Sequence, residues 1–170
     1  MNYQTLLRIG RLALLLVIQV FFLNHIHIAG YITPLFIGYM VTRFGYGYPR
    51  ILLLLWGFAT GVLFDIFSNT AGMAAASCTL LAMMQPSLLK HIMPYDAAEG
   101  FSPSIATLGF GNYLVYALCC MLVLNTTFYL LDAFTLNNWQ LTLLSISGSS
   151  VMATLLCICA DLLLHKSKRG

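Results

Sequence analysis

Ile51-Leu-Leu-Leu-Leu-Trp-Gly57-Phe-Ala-Thr-Gly61-Val-Leu-Phe-Asp65-Ile-Phe-Ser68 is an apolar run with Asp65 as its one ionisable side chain. Asn69, Thr70, Ala71 and Gly72 close it with a polar turn. The residues from Ile51 to Trp56 show none of the alternation that a lipid-facing strand of a barrel needs. About 20 apolar residues, with a range of about 17 to 25, carry a helix across a bilayer. Residues 57, 61 and 65 lie four apart, so on a helix of 3.6 residues per turn they run down one face. Gly57 and Gly61 form a small-x-x-x-small pattern, which lets two helix backbones approach closely in lipid. A carboxylate at the centre of such a helix costs roughly 2.5 to 3.5 kcal/mol on insertion scales and less toward the interface. Asp65 therefore belongs against protein or water.

The rest of the chain has the same character. Of its 170 residues, 60% are hydrophobic and 8% charged, against about 25% charged in a soluble domain. Lipid forces every backbone polar group to pair internally, leaving helix bundles or closed barrels, and the continuous apolar runs favour helices. The net charge of +3 is spread over short clusters at the ends of apolar runs. That pattern excludes a nucleic-acid partner. The five cysteines (Cys78, Cys119, Cys120, Cys157 and Cys159) lie within apolar runs and form no C-x-x-C pair, so they read as small packing residues. Arg8 and Arg11 followed by residues 12–23 resemble the start of a signal peptide. No A-x-A-like site follows, and the run is read as a permanent span.

Six spans are expected in a single integral membrane domain covering residues 1–170: 12–28, 31–46, 51–67, 72–89, 108–131 and 141–164. The second is short and reaches spanning length only with residues 42–46 included. Gly45, Gly47 and Pro49 mark a loop after it. Pro86, late in the fourth span, is expected to kink or end that helix. Residues 90–107 form the longest polar connection. Lys and Arg of short loops collect on the cytoplasmic side. With six spans and both termini cytoplasmic, Arg8, Arg11, Arg43, Arg50, Lys90, Lys166, Lys168 and Arg169 all fall inside. The best five-span arrangement leaves two of these on the wrong side.

Two readings of Asp65 stand side by side. In the structural one it accepts hydrogen bonds from the Ser68–Gly72 turn or from a neighbouring helix. In the functional one it is a proton, cation or substrate site. The functional reading lacks a second ionisable residue at mid-depth, since Asp161 sits near the cytoplasmic end of the last span, within reach of Lys166 or water. His25 and His27 are two apart without a third ligand of sensible spacing, whereas zinc wants three or four, so no metal site is expected. Tyr46, Tyr48, Tyr95 and Trp139 stand at span ends as interfacial anchors. Ser145, Gly148, Ser149 and Ala153 give the sixth span a small-residue packing stripe. A serine nucleophile needs a base, and none is expected at that depth. No catalytic residue, cofactor or metal is therefore assigned, and the chain is not expected to be an enzyme.

The layout and the residues Gly57, Gly61, Asp65, Ser68 and Gly72 resemble the rod shape-determining protein MreD family: small bacterial inner-membrane proteins with a glycine-rich third helix, an acidic residue, a polar turn and a further glycine. The resemblance implies a non-enzymatic component of the cell-elongation machinery. Such a component acts with a membrane-anchored MreC-like protein, the actin-like MreB and the wall synthases in lateral peptidoglycan synthesis. It also implies an all-α bundle similar to the S components of energy-coupling-factor vitamin importers. Such a substrate-binding S component is the alternative reading and would carry a polar cavity open to the outside. A small membrane scaffold unrelated to cell shape is a third. Gly57, Gly61, Asp65, Ser68 and Gly72 are the candidates for structural or partner-packing roles.

Overall fold

The computed structural model describes residue 10 and residues 35–70, 72–94, 101–132 and 139–167. The expected first span, 12–28, and the histidines 25 and 27 lie outside the described residues, as do Tyr95 and the last three residues. The described chain is helical, in the order α1 (Tyr39–Thr42), α2 (Arg50–Ser68), α3 (Met73–Ile92), α4 (Ile105–Leu108), α5 (Phe110–Asp132) and α6 (Trp139–Ser167). No strand occurs among the described residues. α2, α5 and α6 as far as Leu163 are long and apolar enough to cross a membrane. α3 has 20 residues but is not among them, because Ser77, Thr79, Gln85, Ser87, Lys90 and His91 dilute its apolar character. Its position explains why that is tolerated. It packs between α2 and α5, so much of its surface meets protein.

The long helices follow one another as packed neighbours, α2 on α3, α3 on α5 and α5 on α6. Contacts between their ends show that they alternate in direction. Tyr46 N–H bonds the carbonyl of Phe101 at 2.8 Å, joining the segment before α2 to the one after α3. Arg43 reaches Asp161, late in α6. One end of the bundle therefore holds residues 43–50, 90–94, 101–105 and the close of α6. The other holds Asn69, Thr70 and Gly72.

Beside its apolar core the bundle buries polar side chains and exposes many large apolar ones. Thr60, Ser77, Gln85, Asn125, Ser149, Ser150 and Asp161 are buried, whereas Ile51, Ile66, Phe67, Met83 and Leu163 stand 76%, 68%, 62%, 73% and 70% exposed. A water-soluble monomer rarely shows contiguous apolar surface on this scale. In lipid such faces are at home, and it is the polar groups that must turn inward.

The segment 35–46 departs from the helix expected over 31–46. It holds one helical turn, Tyr39–Thr42, preceded by a turn at Ile37–Gly38 and followed by non-helical residues to Pro49. The cause is local. Gly38, Gly45, Gly47 and Pro49 are too closely spaced for a long helix, and Gly47 takes φ 83°. Yet the segment lies deep. Leu35, Ile37 and Val41 are 2%, 2% and 1% exposed, and a Cβ on Gly38 would lie 3.1 Å from side-chain atoms of both Leu81 and Leu124, in the middle of α3 and α5. Non-helical backbone at such depth is tolerated when protein surrounds it.

Two further boundaries lie close to expectation. α3 continues through Pro86 and ends at Ile92, a little past the expected 89. α5 begins at Phe110 against the expected 108, with Gly109 (φ 77°) separating it from the short α4.

Candidate functional site

The glycine face of α2 is closed by the chain's own next helix. A Cβ built on Gly61 would lie 2.4 Å from Ala75 Cα and 2.5 Å from the carbonyl oxygen of Ala74. On Gly57 it would meet Ala82 Cβ and the Cys78 carbonyl oxygen, both at 2.8 Å. These neighbours are backbone atoms and a Cβ, none of which swings aside. Only glycine permits α2 and α3 to touch this closely. Gly57 and Gly61 therefore form a folding surface inside the chain, the structural one of the two roles open to them in the sequence.

Asp65 continues the face and completes the hairpin. Its Oδ1 accepts from the Thr70 hydroxyl and from the Ala74 N–H at 3.0 Å. Its Oδ2 accepts from the Ala75 N–H at 2.9 Å. Met73 begins α3 behind an N-cap Gly72 that has no side chain to offer. Asp65 thus supplies, from the preceding helix, the cap that position 72 lacks. The unpaired N–H groups and partial positive charge at a helix start suit a carboxylate, so the charge sits 7% exposed with its bonds met.

The turn is built for this arrangement. Asn69 ends α2 in the left-handed region (φ 55°), with its N–H bonded to the Asp65 carbonyl. Thr70 N–H bonds the same oxygen at 3.1 Å, and Gly72 takes φ 78°. Ser68 stays outside the cluster: its hydroxyl is covered and without a partner among the described residues.

A second carboxylate behaves alike at the opposite end. Asp161, 3% exposed, pairs with Arg43 through Oδ1 and accepts from the Ile105 N–H through Oδ2 at 2.7 Å. Arg43 also donates to the Pro103 carbonyl at 3.2 Å. The sequence expectation of a contact with Lys166 concerns a side chain outside the described residues. The partner seen, Arg43, stands 118 residues away in sequence, a pairing that no local pattern announces. The contact ties the 43–49 segment, the 103–105 segment and α6 together. Arg43→Gln should leave Asp161 with one donor. Because Arg43 is one-fifth exposed, the expected loss is about 1–2 kcal/mol, below the 3–5 of a fully buried pair. Urea unfolding in detergent micelles measures it, and Arg43→Lys should recover part.

Between these ends lies a buried polar chain that the sequence reading passed over. Gln85 Nε2 donates to the Phe44 carbonyl at 3.0 Å and to the Tyr116 hydroxyl at 2.8 Å. Tyr116 in turn donates to the Thr42 carbonyl at 2.9 Å. Carbonyls left open by the end of α1 are thereby satisfied from α3 and α5. The available signal was an amide inside an apolar helix, which needs a partner in lipid. Tyr116→Phe should cost about 1–2 kcal/mol, since it leaves the Thr42 carbonyl buried without this donor. An unchanged unfolding midpoint would count against the network.

The small-residue stripe of the sixth span is also used internally. Ser145, Ser149 and Ala153 are buried, with Gly148 only half-buried, and Ser149 Oγ lies 2.9 Å from the Tyr129 hydroxyl of α5. His91 faces out and contacts the Ser87 carbonyl.

Two concavities stand out. One, about 610 Å³, is an apolar groove between α2 and α3, walled by Leu54, Phe58, Leu80 and Met83. The other, about 300 Å³, lies at the Arg50 end and mixes polar and apolar walls. Among the described residues no three His, Cys, Asp or Glu side chains cluster as a metal site would require. No protein-family model, curated protein or solved structure matches the chain.

Proposed function

We propose that this chain is a non-enzymatic membrane component of the bacterial cell-elongation complex, of the kind its resemblance to the MreD family implies. In this reading it is a multi-pass protein of the inner membrane with six crossings, the second made by the broken segment that ends at residue 46, and both termini in the cytoplasm. It binds an MreC-like membrane-anchored protein and other elongation-complex membrane proteins, and thereby regulates cell shape and lateral peptidoglycan synthesis.

The observation that supports the reading is that Gly57, Gly61, Asp65 and Gly72, four of the five residues of the resemblance, act together as one device that locks α2 to α3, with Ser68 outside it. A scaffold needs such a stiff pair of helices, and none of the four is left over for substrate. The Arg43–Asp161 contact favours the orientation, because it joins the basic 43–50 connection to the end of α6 that leads into the basic tail.

The test is deletion and complementation, scored by cell width and by recovery of an MreC-like protein with the tagged chain. Rods should give way to rounded cells on deletion, and the wild-type chain should restore them and retain the partner. Normal cell shape after deletion, together with a vitamin-sized molecule held tightly by the purified protein, would overturn the reading in favour of a substrate-binding S component.

A further inference from the structure

The smaller cavity has a chemistry that neither the hairpin nor the scaffold reading uses. Its walls are Gly45, Tyr46, Gly47, Tyr48, Arg50, Leu53, Gln85, Pro86 and Leu89, and its volume of about 300 Å³ is at the small end of ligand sites. Three features converge there. Arg50 is an exposed cation that forms no ion pair among the described residues. It opens α2, a helix of 19 residues whose N-cap, Pro49, brings no side-chain hydrogen bond, so the first-turn N–H groups are free to meet an anion. The third feature points independently to a ligand. Gln85 is 1% exposed, and its Nε2 is committed to Phe44 and Tyr116. Oε1, the polar atom Gln85 can still offer the cavity, accepts no hydrogen bond among the described residues. The site therefore presents positive groups at its rim and a lone acceptor in its wall.

We infer that this cavity binds a phosphate group that carries a neighbouring hydrogen-bond donor. The phosphate meets Arg50 and the start of α2, and the donor meets Gln85 Oε1. Two sources share this chemistry: the headgroup of an ethanolamine or glycerol phospholipid from the adjoining leaflet, and a soluble phosphate. Lys90, exposed at the same end of the bundle but outside the cavity, separates a built site from general attraction of anions to a basic surface.

The full chain in a non-ionic detergent, studied by native mass spectrometry with added lipids, tests this. Phosphatidylethanolamine and phosphatidylglycerol should be retained, and phosphatidylcholine, whose headgroup has no N–H or O–H donor, about tenfold less, as expected for one hydrogen bond to a charged group. Arg50→Gln should lower retention by about tenfold with the unfolding midpoint unchanged, Arg50→Lys should be intermediate, and Lys90→Gln should behave as wild type. Displacement of the lipid by inorganic phosphate alone supports the soluble source, and resistance to it supports the lipid source. Absence of any adduct, equal retention of the choline lipid, or equal losses with Arg50→Gln and Lys90→Gln would overturn the proposal.

Discussion

Gly61→Leu is expected to abolish the folded α2–α3 hairpin and, with it, most of the protein recovered from membranes. Even the first carbon of a side chain there would lie 2.4 Å from the Ala75 Cα and 2.6 Å from its nitrogen. Ordinary overpacking costs about 1–3 kcal/mol because neighbouring side chains shift. Here the obstacle is backbone, so the helices must separate, and the contacts along their whole length are lost with them. Separation also withdraws Asp65 from Ala74 and Ala75, coupling the two sites. Gly61→Ala should already lower the unfolding free energy by about 3 kcal/mol or more, the top of that range. Gly111→Ala provides the contrast, since a Cβ there meets nothing within 4 Å and alanine favours a helix by up to about 1 kcal/mol. Unfolding in micelles, followed by circular dichroism against urea, distinguishes the two.

Asp65→Ala should be the next most damaging change. It strips partners from the Thr70 hydroxyl and from two N–H groups at the start of α3. At about 1–3 kcal/mol for each buried donor left unmet, with partial relaxation, a loss of about 3–5 kcal/mol is expected. Asp65→Asn should fall between wild type and alanine. Its oxygen can keep the place of Oδ1, but its amide nitrogen would then confront the Ala75 N–H, donor against donor. The ordering of alanine below asparagine below aspartate is the signature of a cap. If Asp65→Asn matched Asp65→Ala in function while both proteins stayed as stable as wild type, the carboxylate would be serving proton or substrate chemistry instead.

These two residues also mark how far the sequence carried. The spacing of 57, 61 and 65 placed them on one face correctly, because helix geometry is local. What covers that face is not local: the spacing left structural and partner-packing roles open, and the close contact with α3 is visible only in space. The limits of α2 and α6 lay within a few residues of their apolar runs. The segment 35–46 did not follow its hydropathy: a buried loop is as apolar as a span, and only the crowding of Gly38, Gly45, Gly47 and Pro49 hinted at the break. The Arg43 partner of Asp161 was not legible for a related reason, since the two are near only in space. Gln85 and Tyr116 went unnoticed because uncharged polar residues raise no alarm in a hydropathy reading, though in lipid each must find a partner.

The account stands on an antiparallel bundle in which the segment before α2 and the end of α6 share one face of a bilayer. Cysteines placed singly at Tyr48, Asn138 and Lys168, in a chain whose five native cysteines are replaced, can be challenged with a membrane-impermeant maleimide. Position 138 should react in intact cells, and positions 48 and 168 only after the membrane is opened. Reaction of 48 and 168 from opposite faces would contradict the Arg43–Asp161 contact and the bundle built around it.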